Sequence, residues 1–284
     1  MPTSAVIDAW ELGLRLRERR EQLGLTVSAA AKAIGTAQPN LSAIENGKRK
    51  ITQRNLEGLV ELFESSEAEA AGFDRLRIGA EHRDWYHQYA GLFNDDFIRY
   101  LGLEHGAESI RAFESCFIPG ILQTRDYAHA LLRSGSPYVR LTEVEPRLEA
   151  RLARGRRLAG EKPLSLFVLL GESALRQQIG GPEVMRAQLD HLAETVETRE
   201  NVEVRVLPFE VGAYPALGGA FWVMSFASPT LPEVVYQETL TYNTFIDQRQ
   251  QVREYTVALA ETTEQALDPA DSLTLIRRLS EGMK

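Results

Sequence analysis

The chain has 284 residues, 44% of them hydrophobic, with 32 Lys/Arg against 40 Asp/Glu for a net charge of −8. That length suits two domains rather than one small binding module. One cysteine, Cys116, excludes an intramolecular disulfide framework, and beside five scattered His it offers no zinc spacing.

From the N-terminus, Leu12, Leu16 and Leu23 fall on one face of a helix, with Arg15, Arg17, Arg19 and Arg20 elsewhere on its surface. Gly24 ends that helix, Thr26 or Ser28 caps a second one through Ile34, and Gly35 supplies a tight turn. A third helix turns Leu41 and Ile44 inward and stops at Gly47; Leu56, Leu59, Val60 and Phe63 make a fourth that closes a small core. Residues 64–72 are small and polar, so the spacing predicts a first domain over 1–66, a linker over 67–73 and a second domain over 74–284.

The second domain mixes both periodicities. Residues 74–92 read as helical and aromatic-rich, 108–113 as a strand leading to a turn at Pro119-Gly120, and 121–134 and 142–159 as helices. Leu164–Leu170 is a continuous apolar run and hence a buried strand, followed by an amphipathic helix over 182–199. Val202–Leu207, Phe221–Phe226 and Val234–Glu238 read as strands, with a Gly/Pro loop at 212–219, and helices over 246–266 and 269–281 finish the chain. The expected architecture is an all-α domain followed by an α+β domain with a small mixed sheet. No apolar run nears the about 18 residues of a membrane span, and no basic-then-apolar leader opens the chain. A cytoplasmic protein without membrane partners is expected.

Charge is unevenly distributed. Residues 12–54 hold nine Lys/Arg against three acids, a local +6 that leaves −14 on the remainder. A positive module on an acidic body is a localised phosphate-binding footprint. Within it, Gly35–Lys50 reads as a turn, a short helix and a basic loop, the second half of a helix-turn-helix. Gln38 has the geometry to pair bidentately with adenine, and Asn40 or Ser42 to reach bases or phosphates, while Lys48, Arg49 and Lys50 would hold the DNA backbone. The expected DNA-binding set is Arg17, Arg20, Thr36, Gln38, Asn40, Ser42, Asn46, Lys48, Arg49 and Lys50.

Leu16-Arg17, Arg20, Gly24-Leu25, Ser42 and Ile44-Glu45-Asn46-Gly47 occupy a recognisable pattern. Through it, residues 12–64 resemble the lambda-repressor-like helix-turn-helix of phage repressors and xenobiotic-response-element regulators. Val27 stands where that family usually has a phosphate-contacting Gln, Ala30 where it often has Leu, and Pro39 is unusual in the third helix.

Further on, Ile118-Pro-Gly-Ile-Leu-Gln-Thr124 is followed by Tyr127-Ala128, Arg151, Arg154, Gly171-Glu172, Ala174-Leu175, Gln188-Leu189, Val206-Leu207-Pro208, Gly212, Gly219, Phe221, Tyr236 and Glu238. In this order and spacing, residues 74–280 resemble the C-terminal domain of WhiJ-like, antitoxin-like actinomycete regulators. The resemblance implies a sensor or partner-docking domain, often encoded beside a small companion protein. From the residues themselves, Glu172 follows one strand and Glu238 ends another. With Arg176, Tyr214 and the 212–219 loop they are candidates to line a ligand or peptide pocket, the alternative being solvated strand-end charges and a plain connecting loop.

Cys116, inside the apolar stretch Phe113–Ile118, reads as a buried small hydrophobe, and Trp85-Tyr86-His87-Gln88-Tyr89 as core or dimer contact. Arg151, Arg154, Arg156 and Arg157, on a helix also rich in Glu, read as ion-paired, with docking of a phosphate or an acidic partner as the alternative. The strand–helix–strand–strand–strand order of 164–238 faintly resembles half of a phospholipase-D-like fold, but the His-x-Lys of such enzymes is absent from the chain. None of His82, His87, His105, His129 and His191 sits beside a plausible nucleophile, so no enzymatic activity, metal or cofactor is expected. The chain reads as a homodimeric, sequence-specific transcriptional regulator of double-stranded DNA. Its C-terminal domain would receive a small-molecule or companion-protein signal. The alternative is an antitoxin-like protein that mainly sequesters a small partner and autoregulates its operon.

Overall fold

The computed structural model describes residues 3–134, 140–240 and 242–283. Contacts divide them into two compact units. The first runs to His87 and includes Arg99–Gly106 and Ala227–Leu231; the second comprises Gln88–Ile98, Ala107–Phe226 and the chain from Pro232 onward.

The first unit opens with α1 (Ala5–Gln22), α2 (Val27–Ala33), α3 (Gln38–Glu45), α4 (Gln53–Leu62) and α5 (Glu67–Glu81). Local chemistry sets their ends. Ser4, Thr26 and Thr52 cap α1, α2 and α4 by accepting from the N–H three residues on. Gly24, Gly35 and Gly47 take positive φ at the turns that follow α1, α2 and α3. The inward faces share one core built on Leu12, Leu16, Ala30, Leu41, Ile44, Leu56, Leu59 and Phe63. Each large aliphatic or Phe side chain buried this way contributes about 1.5–3 kcal/mol.

Residues 67–73, expected as a linker, form the first turns of α5 instead. Ser66 and Glu69 make a capping box: Ser66 Oγ accepts from Glu69 N at 3.3 Å and Glu69 Oε2 from Ser66 N at 2.9 Å. The Ala-rich turns that follow favour helix, and Phe73 and Leu76 complete the core of α1–α4. The helix expected to run on to residue 92 breaks after Glu81, and a 3-10 turn covers Trp85–Tyr89. Between them, Asp84 Oδ2 accepts from Ala5 N (2.8 Å) at the start of α1 and from the buried Tyr86 hydroxyl (2.7 Å). Capping α1 requires the chain to leave helical geometry at that point.

The chain continues through α6 (Asp95–Gly106), β1 (Ser109–Glu114), α7 (Arg125–Ser134), α8 (Val144–Arg154), β2 (Ser165–Gly171) and the short α9 (Glu172–Arg176). Then come α10 (Pro182–Thr198), β3 (Val202–Leu207), β4 (Phe221–Ser225), β5 (Val234–Glu238), β6 (Asn243–Ile246), α11 (Arg249–Thr263) and α12 (Pro269–Gly282). The strands form one six-stranded mixed sheet in the order β3-β2-β1-β4-β5-β6. β1, β2 and β3 run parallel, and β4, β5 and β6 alternate in direction. β5 therefore points the same way as β1. One face carries Phe113, Leu169, Phe221, Val223 and Val235 against Val252 and Leu259 of α11. By strand alternation Ala112, Glu114, Trp222 and Tyr236 lie on the other. The expected strands are all present. α6 and β6 were not expected; α6 starts at Asn94, whose side chain accepts from Phe97 N at 2.8 Å.

Candidate nucleic-acid interface

Two side chains lock the helix-turn-helix together from inside. Arg20 Nε and Nη2 donate to Glu45 Oε1 and Oε2 at 2.7 and 3.0 Å, and Arg20 Nη1 donates to Leu25 O at 2.6 Å. Arg20 is only 5% exposed. It was expected on the DNA-contacting surface; its donors are instead spent inside the fold, fastening α1 to the end of α3. Glu45, which sequence reasoning passed over as a partner, supplies the matching fork. Two glycines let the same elements approach. A Cβ on Gly13 would collide with Ile44 O and lie 2.8 Å from Glu45 O, and one on Gly47 would lie 2.8 Å from Trp10 Cα.

This framework leaves the outer side of α3 open. Gln38 and Pro39 stand exposed in its first turn, with Thr36, Asn40 and Ser42 half-buried beside them. Ala37, at the N-cap, offers no side-chain acceptor, and Pro39 is tolerated because a first-turn N–H has no intrahelical partner. Lys48, Arg49 and Lys50 follow, all exposed. Besides Arg20, four members of the expected set, Arg17, Thr36, Asn40 and Asn46, already have internal partners. Asn40 Nδ2 donates to Thr36 Oγ1 (2.7 Å), Asn46 Nδ2 to Ser42 O (2.7 Å), and Arg17 Nε to Glu21 (2.9 Å). Asn40 and Asn46 thus brace the turn and the helix end, leaving Gln38 and the 48–50 loop as the most available groups.

The four residues expected to line a pocket share the carboxyl edge of the sheet but not one site. Glu172, 5% exposed, accepts from Arg176 Nε at 2.5 Å and from Phe209 N at 2.9 Å, fastening the loops after β2 and β3. Tyr214 packs edge-on against Phe113, 5.6 Å between centroids. Glu238 ends β5, three strand spacings or about 14 Å from β2. Cys116, expected to be buried, is exposed, because β1 ends at Glu114 and the chain leaves the sheet there.

Residues 11–73 match the model of a helix-turn-helix domain. Residues 97–278 match that of a domain of unknown function, DUF5753. The chain belongs to the DUF5753 family. No curated protein matches it. The helix-turn-helix is the kind of domain that places DNA-binding regulators on their sites, and no helix among the described residues is long and apolar enough to cross a membrane.

Within the DUF5753 region the Ile118–Thr124 motif is a buried latch. Ile118 N donates to the Tyr127 hydroxyl (3.1 Å) and Gln123 Nε2 to Ile118 O (2.6 Å). Gln188, fully buried on α10, accepts from Thr124 N (2.7 Å) and donates to Leu122 O (2.9 Å). Gly120 leaves room for the buried Arg154, whose Nη1 would lie 2.5 Å from a Cβ there. Of the arginines read as ion-paired, two donate to uncharged acceptors: Arg151 Nη1 to Gln123 Oε1 (3.1 Å) in the latch and Arg157 Nη2 to Ala107 O (2.8 Å).

Proposed function

We propose that the protein is a homodimeric, sequence-specific transcriptional regulator of the WhiJ-like, antitoxin-like type, working in the cytoplasm. The carrying observation is the split within the helix-turn-helix: Arg20 and Glu45 rigidify it from inside, while Gln38 and Lys48-Arg49-Lys50 stand free on its outer side. In this reading α3 lies in the major groove with Gln38 at an adenine edge. The basic loop neutralises phosphates, and Thr36 and Ser42 support the register.

One such helix reads only a few base pairs, so a two-fold dimer on half-sites about one helical turn apart is the route to useful specificity. The DUF5753 region then serves dimerisation and signal reception. A ligand or companion protein bound there alters operator affinity only by binding one arrangement of the dimer better than another. Selection of bound sequences from a random DNA pool tests the proposal. A paired motif with fixed half-site spacing supports it, and a pool without enrichment rejects it.

A further inference from the structure

Strand register brings together two glutamates that the operator reading leaves unused. Ala112, Trp222 and Tyr236 pair across β1, β4 and β5. Extending that register two residues toward the carboxyl edge sets Glu114 and Glu238 level with each other, on either side of Ala220. Alternation carries Glu114 to the face of Ala112 and Glu238 to that of Tyr236, and two strand spacings put their Cα atoms about 10 Å apart. Burial is graded across this notch. Glu114 is 5% exposed, Ala220 is half-buried and Glu238 is exposed, so it opens to solvent on the Glu238 side.

The buried end is chemically incomplete. Glu114 Oε1 accepts from Trp222 Nε1 at 2.7 Å, whereas Oε2, equally buried, has no hydrogen-bond partner. Leaving such an oxygen unsatisfied costs about 1–3 kcal/mol, more when it is charged. The neighbouring polar groups are engaged: the Tyr127 hydroxyl accepts from Ile118 N, Arg151 donates to Gln123, and the Arg154 guanidinium lies 5.9 Å from the Trp222 ring centroid. Burial raises the Glu114 carboxyl to about 7; the Trp222 hydrogen bond opposes that rise, the charge of Glu238 adds to it and Arg154 counters it.

We infer that the notch between Glu114 and Glu238 binds a small organic cation, a primary ammonium or guanidinium whose N–H donors fill Glu114 Oε2 while Glu238 holds its charge from the rim. Such a head needs little beyond two carboxylates to receive its charge and its N–H donors. A divalent metal fits less well: calcium takes six to eight oxygen ligands, and among the described residues no three His, Cys, Asp or Glu converge to hold one. The inference rests on the reading of the DUF5753 region as a signal receiver for its meaning, but its test is binding itself.

Calorimetric titration of the full chain with methylguanidinium chloride and with ethylammonium chloride, against sodium chloride controls, reads it directly. Saturable binding of one of these cations is expected at pH 7, with proton release seen as an enthalpy that follows the ionisation heat of the buffer. Glu114→Gln, which keeps an acceptor for Trp222, is expected to weaken binding by about tenfold or more, the loss of a charge-assisted hydrogen bond. Glu238→Gln, at an exposed position, is expected to weaken it by a few fold and keeps the test open if Glu114→Gln does not fold. Absence of saturation with both cations, or unchanged affinity in the variants, overturns the site and leaves the operator reading standing. Saturable binding with no change in DNA affinity upholds the site and removes its role as an effector switch.

Discussion

Arg20 on α1 and Glu45 at the end of α3 grip each other through two parallel hydrogen bonds, 2.7 and 3.0 Å long, with both side chains almost out of solvent. The pair spans 25 residues and sets the recognition helix against the scaffold. A buried pair is worth little against an apolar replacement, but removing one partner strands the other charge. Arg20→Ala should therefore cost about 3–5 kcal/mol in urea unfolding. The Arg20→Ala/Glu45→Ala double variant should cost less than the two single changes added together. Additive single costs would show that the two side chains act independently.

Gly13 and Gly47 permit the close packing that this clamp holds. Gly13→Ala pushes a methyl into the carbonyls of Ile44 and Glu45; Gly47→Ala adds one against Trp10 at a position with φ of 66°. Overpacking of this kind costs about 1–3 kcal/mol, and at Gly47 the backbone strain adds to it. Gly24→Ala, where φ is positive but nothing lies within 4 Å, should lose less than Gly47→Ala. Equal losses in thermal melts would remove the role given to Trp10.

Glu114 ties stability to pH. Its carboxyl titrates near 7 in the folded chain against an ordinary value of 4.5. The native state thus holds the proton more tightly, and this contribution is fully present below about pH 4.5 and lost as pH rises through about 7. The difference amounts to about 3 kcal/mol at most. Unfolding free energies measured from pH 5 to 8 should fall along this path in the wild type and flatten in Glu114→Gln. Parallel curves would mean that Glu114 is ionised throughout.

What was legible beforehand was local. Ser/Thr caps, the glycines at 24, 35 and 47, and apolar runs such as Leu164–Leu170 act within a few residues, so the helices and strands they mark are where expected. β6 has four half-buried residues and no alternation to reveal it. α6 opens on Asn94-Asp-Asp96, a helix-start signal that follows directly on the aromatic stretch and is masked by it. The structural role of Arg20 depends on a partner in another helix, so its charge alone suggested phosphate. Glu114 looked like one more strand residue until register set it level with Glu238, and Cys116 looked buried because its apolar neighbours straddle the strand end.

The basic loop should set affinity without setting sequence. Replacing Lys48, Arg49 and Lys50 together with Ala should weaken binding to every duplex. If all three contact phosphate, the slope of log K against log salt should fall by about 2.7, near 0.9 per contact. An unchanged slope would place these cations away from DNA.

The most direct test of DNA reading by α3 is parallel selection of bound sequences with the wild type and Gln38→Ala. The wild type should return a paired motif with an adenine at one fixed position of each half-site. Gln38→Ala should keep the spacing and lose that preference, worth about 1–3 kcal/mol for a bidentate contact. The same motif from both proteins, or none from the wild type, would contradict the assignment of α3 as the reading helix.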